Sequence, residues 1–234
     1  MRIGIIGAGM LGGTLASRLS KLGHEVAIAN SRGPETLRML AAEVGATAVT
    51  PAEAAHNGEI VVVAIPLRAV PELPKGLFAR VPADVVVIDT GNYYPARDGS
   101  IPALDQGQLE SVWVGQQLGR PVIKAFNSIS FTSLLDKGRP KGSAGRGALS
   151  VAGDPSDSRA KVLRLVDELG FDPVDAGGIE ESWRQQPGTP CYTKDLDAPR
   201  LKEALAAAVR SRIPEYRKAA DDAARAYFET QRKG

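Results

Sequence analysis

Three short stretches of this chain combine residue types that could bind a charged ligand or take part in chemistry: Gly7-Ala8-Gly9-Met10-Leu11-Gly12, Asn30-Ser31-Arg32 and Lys124-Ala125-Phe126-Asn127. The first is a G-x-G-x-x-G turn that follows the apolar run Arg2–Ile6 directly. Gly7 allows a sharp turn off a strand, Gly9 lets a pyrophosphate approach the backbone, and Gly12 lets a following helix pack close to a sheet. A helix over residues 10–22, with Met10 and Leu11 in its first turn, would aim its N-terminal amides at phosphates. The second stretch ends the next apolar run, Glu25–Ala29, about 20 residues past the glycines, where an NAD site places Asp or Glu against the ribose 2′-hydroxyl. Here the chain offers an amide, a hydroxyl and a guanidinium, which suit a 2′-phosphate, so the expected cofactor is NADP(H). The competing reading makes Arg32 an ordinary surface arginine and Ser31 a cap for a helix starting at Pro34.

The remaining candidates lie after later strands, at the carboxyl ends where such folds bind ligands. Ile65-Pro66 would turn the chain past the adenosine or central ribose, although Pro66 would end the strand in any case. Asn92, after Asp89-Thr90-Gly91, could bond a ribose or carboxamide, or could be only part of a turn. Lys124 and Asn127 could lie near a nicotinamide and are the candidate catalytic residues. Equally, Lys124 could be a solvated lysine and Asn127 the cap of a helix starting near Ile129. The segment Trp183–Tyr192 is a stiff, irregular loop in which Trp183, Arg184 and Tyr192 could hold a planar ligand; alternatively it is a crossover pinned by a buried Trp183.

The elements that position these residues alternate. Apolar runs at 46–49, 60–65, 85–89 and 122–125 are separated by helix candidates such as 34–44 and 51–57, which predicts a parallel sheet covered on both faces. A strand over 148–152 leads into a helix over 156–169, with Asp154 as N-cap and Pro155 in the first turn, followed by a short strand over 173–175. Leu201, Leu205, Val209, Ile213, Tyr216, Ala220, Ala223 and Tyr227 recur at helical spacing, and Pro214 should divide or kink that stretch. Its apolar face could cover its own sheet or form a homodimer seam. The loops 92–103 and 137–147, rich in Gly, Pro and charge, are the expected mobile segments. The fold class is α/β: a Rossmann-type, doubly wound, mostly parallel sheet with additional C-terminal helices. The expected division is an NADP-binding domain over 1–178 (dinucleotide core 1–128, sheet extension 129–178) and a loop-and-helix segment over 179–234.

Composition narrows the classes. The 234 residues carry a formal net charge of +2 with no long basic run, which argues against nucleic acid. One cysteine, Cys191, excludes an internal disulfide, and two histidines are too few for a convincing metal site. The first residues form a strand rather than a signal peptide, and no apolar run approaches the ~20 residues of a membrane span. A soluble, cytoplasmic protein acting on a small-molecule acceptor, with no membrane partner, is expected. No Ser-His-Asp arrangement and no paired acid and base is evident. Hydride transfer to a flavin-like ring needs alignment of two planes more than acid–base help.

Together the Gly7–Gly12 turn, Asn30-Ser31-Arg32, Ile65-Pro66, Lys124–Asn127 and Val151-Ala152-Gly153-Asp154 resemble the deazaflavin (coenzyme F-420)-dependent NADP reductases. The same module is similar to the cytosolic domain of the six-transmembrane metalloreductases. The resemblance covers most of the first ~175 residues by element order, with Ser-Arg and Lys-x-x-Asn its more specific parts. It implies a Rossmann fold, NADP(H) use, 2′-phosphate contacts from Ser31 and Arg32, and a second ligand near Asn92 and Asn127. The expected function is hydride transfer between NADP(H) and a deazaflavin, flavin or similar planar acceptor. Reduction of a small carbonyl or imine, and non-catalytic NADP sensing, are the alternatives. The Trp183–Tyr192 segment and the helical tail depart from the family and leave the acceptor open.

Overall fold

The structure, a computed structural model, describes residues 1–231. Its elements run β1 (Arg2–Ile6), α1 (Met10–Lys21), β2 (Glu25–Ala29), α2 (Arg38–Val44), β3 (Thr47–Ala48), α3 (Pro51–Asn57), β4 (Ile60–Val63) and β5 (Val86–Asp89). Then follow α4 (Pro95–Asp98), α5 (Pro102–Asp105), α6 (Glu110–Leu118), β6 (Ile123–Lys124), α7 (Phe131–Asp136), β7 (Ala148–Gly153), α8 (Ser156–Glu168) and β8 (Asp172–Asp175). The chain ends in α9 (Ala198–Ala207) and α10 (Ile213–Gln231).

One eight-stranded sheet has the order β3-β2-β1-β4-β5-β6-β7-β8. The first six strands are parallel; β7 pairs antiparallel with β6, Lys124 opposite Ala152, and β8 runs parallel to β7. This is the expected doubly wound, mostly parallel sheet. Strand order reverses between β1 and β4, and such a reversal opens a crevice beyond the carboxyl ends of the two strands. Ile60–Val63 is buried on both faces because helices cover both sides of the sheet. One core packs Leu15 and Leu19 of α1 with Val162, Leu165 and Val166 of α8 against the sheet. The other packs α3, Trp113 and Val114 of α6 and Phe78 on the opposite face. Each fully buried aliphatic side chain contributes roughly 1.5–3 kcal/mol.

Several sequence expectations change. The tail breaks before Pro214, at Arg210–Arg212, and Pro214 sits in the first turn of α10, where a missing N–H costs nothing. Leu201 and Leu205 bury against Ala148 and Val174, so α9 covers its own sheet. Helix α10 returns across its own chain: Asp221 accepts from the Ala96 amide at 2.8 Å, and an Arg217 guanidinium nitrogen donates to the Leu104 carbonyl at 2.9 Å. The stretch 92–103 is not a bare loop. It contains α4 and the start of α5, and its Tyr93 is fully buried with its hydroxyl on Asp105 at 2.8 Å. Asp154 does not cap α8; its carboxylate takes the Ile179 amide at 2.9 Å and so ties the following crossover to β7. Among the described residues no helix is long and apolar enough to cross a membrane.

Candidate functional site

The glycine turn shows what each glycine is for. Gly7 has φ +117°, a backbone that L side chains rarely adopt. A Cβ on Gly12 would stand 1.9 Å from the Gly7 carbonyl oxygen, so only glycine lets α1 sit this close to the turn. A Cβ on Gly9 would meet nothing within 4 Å, so the space over that residue is open. Gly9 is the N-cap of α1, no side chain caps its amides, and no acidic residue occupies its first turn. The helix start thus presents free N–H groups and its positive dipole end to that space. Met10, half exposed, and the partly buried Leu11 form the first turn of α1, and neither lines the cavity described next.

A cavity of about 650 Å³ extends from this turn to the end of β2, lined by Gly7, Gly9, Asn30, Ser31, Arg32, Ile65 and Pro66. Seven of the residues singled out from sequence therefore share one cavity. Asn30 acts within it as a loop former: its Oδ1 accepts from the Arg32 amide and its Nδ2 donates to Thr36, each at 2.9 Å. That Asx turn leaves the side chains of Ser31 and Arg32 exposed at the rim. Ser31 caps no helix, since the helical turn Pro34–Leu37 starts after Gly33 without a side-chain cap.

These glycines separate stability from binding. Gly9→Ala is expected to keep the melting temperature within about 2 °C, because its Cβ meets open space, yet to weaken NADPH by tenfold or more, since a methyl group would stand where the pyrophosphate must approach. Gly12→Ala should instead lower the melting temperature. Thermal melts paired with NADPH titrations check both; a Gly9→Ala protein that binds NADPH normally would contradict the assignment.

The inner end of the crevice lies beyond β5 and β6. Lys124 is not solvated. It is fully buried, its Nζ donating to Asp89 Oδ2 at 3.1 Å and to the Gly91 carbonyl at 2.5 Å, with Glu110 Oε2 at 4.0 Å. Asp89 also collects the Ser111 hydroxyl and the Gly91 amide, both at 2.7 Å, whereas among the described residues Glu110 receives one hydrogen bond, from the Tyr93 amide at 3.2 Å. Lys124 thus faces two buried carboxyls, of which Asp89 receives three hydrogen bonds and Glu110 one. Burial pushes the Glu110 carboxyl up to about 7, with Lys124 and Arg217 opposing the rise.

A carboxyl raised from 4.5 binds its proton more tightly in the native state, so its stabilising contribution is present at low pH and is lost as pH rises through about 7. Glu110→Gln should therefore flatten the fall in melting temperature between about pH 5 and 8, removing a dependence on the order of 2–3 kcal/mol. Melts across that range check it; an unchanged profile would contradict the burial argument.

Asn127 is buried and does not cap a helix, since α7 begins at Phe131 with Ser130 as its cap. It is tied instead to Asn92: Asn127 Nδ2 donates to Asn92 Oδ1 at 3.0 Å, and Asn92 Nδ2 returns a bond to the Asn127 carbonyl at 2.9 Å. The crossover segment completes the group. Gln185 Nε2 donates to Asn127 Oδ1 at 3.0 Å, and the Tyr192 hydroxyl accepts from Asn92 at 3.2 Å and shares a 2.7 Å bond with Tyr94. Trp183 faces away, buried with Leu109 and Ala208 under the stacked Arg184 guanidinium. The segment is thus a pinned crossover at Trp183 and part of the inner cluster at Gln185 and Tyr192. Cys191 is buried, and burial pushes its thiol up to about 11, which leaves it a packed thiol and not a nucleophile.

Aromatic rings close this end. Phe228 of α10 packs edge-on against Tyr94 at 5.1 Å and against Tyr227 at 5.7 Å, and the Tyr227 hydroxyl reaches the Met10 sulfur at 3.5 Å. Arg97 lies over both Tyr94 and Phe228. An aromatic wall therefore runs from the inner cluster to the glycine turn. Tyr94, Gln185 and Phe228 were not singled out from the sequence. Tyr94 lies in a stretch that reads as loop, and nothing local in the tail announces which helix turn meets it.

Residues 2–93 match the family described as NADP oxidoreductase, coenzyme F420-dependent. Protein YjhV of Escherichia coli (strain K12) is 45% identical over 86 residues, which is 35% of this chain and 63% of that protein. A hypothetical protein of Sinorhizobium meliloti, SMa0349, has a similar crystal structure, with 29% identity and a TM-score of 0.70 over 84% of this chain and 95% of that one. A structure assigned as an F420-dependent NADP reductase from Arthrobacter sp. FB24 follows, with 26% identity, a TM-score of 0.65, and coverage of 78% and 87%. A reductive aminase from Aspergillus terreus in complex with NADPH and ethyl levulinate shares the fold alone, at 16% identity and a TM-score of 0.52 over 76% of this chain and 55% of that one. The glycine turn and the Asn30–Arg32 loop both lie inside the matched residues 2–93, so over that part the chain is similar to NADP oxidoreductases of the coenzyme F420-dependent family.

Proposed function

We propose that this protein transfers a hydride between NADP(H) and a deazaflavin, flavin or similar planar acceptor. The cradle suits the cofactor: open space over Gly9, uncapped amides at the start of α1, and an exposed guanidinium at Arg32 fit pyrophosphate and 2′-phosphate. Ser31 and Arg32 would hold the 2′-phosphate, Ile65 and Pro66 would line the adenosine side, and Asn92 and Asn127 would border the nicotinamide. Bound NADPH would supply the hydride.

The observation that carries the acceptor class is the inner end itself. Lys124, Asp89 and Glu110 are buried there and bonded within the protein, Lys124 to Asp89 and the Gly91 carbonyl and Glu110 to the Tyr93 amide, so these three groups are not turned outward to polarise a carbonyl. Beside them Tyr94, Phe228 and Tyr227 form a run of edge-on aromatic contacts that reaches Met10 in the first turn of α1. Such a run would hold a planar ring by stacking and exclude water, and alignment is the main requirement for hydride transfer between two rings.

Scanning NADPH oxidation against a deazaflavin, FMN, FAD and a panel of small carbonyls and imines tests the reading. Oxidation with the ring acceptors supports it. Oxidation confined to carbonyls or imines would assign the other reductase chemistry, and tight NADPH binding with no oxidation in any well would assign a sensor.

A further inference from the structure

The cavity at the glycine turn carries a charge that its phosphate sites do not explain. Among the described residues that line its 650 Å³, Arg32 is the cation and Glu72 the carboxylate. Glu72 is exposed, and its carboxylate makes no hydrogen bond or ion pair with a described residue. It ends the short helical turn Leu67–Glu72, which is anchored by the buried Leu67 and Val70 and stiffened by Pro71. The lining around it is apolar: Pro51, Ala69, Leu73 and Pro74. In NADP(H) the pyrophosphate, the extra phosphate and the adenine hang from one ribose, at C5′, C2′ and C1′. With the pyrophosphate over Gly9 and the 2′-phosphate at Arg32, the base falls to the lining that remains, which is the stretch around Glu72. A free carboxylate there would repel phosphate and needs a donor as its partner.

We infer that the Glu72 carboxylate accepts a hydrogen bond from the exocyclic amine of the adenine ring, and so selects adenine over a purine that carries a carbonyl oxygen at that position. This rests on the NADP(H) reading above and adds to it a residue that determines which base is bound. The amine is the donor that fits, because the ring nitrogens of adenine are acceptors and its N6 amine carries the N–H groups. A carbonyl at the same position would set lone pair against carboxylate, so Glu72 discriminates by repulsion as well as by attraction. The same repulsion keeps phosphate at the Arg32 and α1 end of the cavity, which fixes the direction in which the dinucleotide lies. The flat apolar groups around Glu72 suit the faces of the ring, and the carboxylate reads its edge.

The test titrates the full chain with NADPH and with its deamino analogue, in which hypoxanthine replaces adenine, and needs no acceptor and no turnover. Wild type is compared with Glu72→Gln and Glu72→Ala, which change an exposed side chain and should melt within about 2 °C of wild type. Wild type is expected to bind the analogue about three- to tenfold more weakly than NADPH, a modest ratio for a charge-assisted bond because the carboxylate is solvent-accessible. In both variants the ratio should fall to within about twofold of unity, since alanine reads neither base and glutamine can accept from an amine or donate to a carbonyl. The ratio is the readout, because loss of the carboxylate also relieves its repulsion of the phosphates and moves both affinities together. Equal or tighter binding of the analogue by wild type, or a preference for NADPH that persists in both variants, would overturn the inference and leave the cofactor reading standing. Wild type that binds neither dinucleotide would overturn the cofactor reading itself.

Discussion

Lys124→Met is expected to lower the melting temperature by roughly 6–20 °C. Removing one partner of a buried ion pair strands the other charge and costs about 3–5 kcal/mol, and each kcal/mol shifts a chain of this size by roughly 2–4 °C. Here the loss falls on Asp89, which keeps the Ser111 and Gly91 donors but no cation, and on the Gly91 carbonyl, which loses its donor. Glu110 cannot compensate, being buried beside the same site. Thermal melts and kcat per folded molecule separate this role from a catalytic one. A variant that melts like wild type but no longer turns over would make Lys124 a group acting on the acceptor.

Arg32→Ala is the second large effect. The guanidinium is exposed at the cavity rim, and its backbone is fixed by the Asn30 turn, so the side chain can meet a 2′-phosphate without reordering the loop. Loss of a charge-assisted contact should cost about 1.5–3 kcal/mol, a ten- to hundredfold weaker NADPH Kd. NADH, which lacks the phosphate, should bind as before. The difference should shrink at high salt, because the contact is solvent-accessible. Paired titrations of both cofactors at two ionic strengths check it, and equal weakening of NADPH and NADH would contradict the assignment.

What was legible in the sequence follows from where the information sits. The glycine turn reads directly because backbone geometry at Gly7 and Gly12 admits no other residue, and the strands read because burial on both faces demands continuous apolar runs such as Ile60–Val63. The Asn30–Arg32 loop reads because its partners are two to six residues away. The inner cluster did not read, since its bonds join Asn92 to Tyr192 across 100 positions and Asn127 to Gln185 across 58. Lys124 looks like a strand-end lysine until Asp89 and Glu110 are brought beneath it. Helix α6, which delivers Glu110 and Ser111, escapes a periodicity search because it buries those two polar residues with Trp113 and Val114. The stretch 92–103 reads as mobile from its Gly and Pro content, yet Tyr93, Asp98 and Asp105 pin it from within.

The most direct test of the central claim mixes the protein with NADPH carrying deuterium at the transferable position of the nicotinamide, and with a deazaflavin, in a stopped-flow instrument. If a hydride passes between the two rings at this site, the deazaflavin absorbance bleaches in step with NADPH oxidation. Deuterium then slows both signals and appears in the reduced acceptor. Bleaching without deuterium in the product, or saturating NADPH binding with no bleaching of any planar acceptor, would contradict the account.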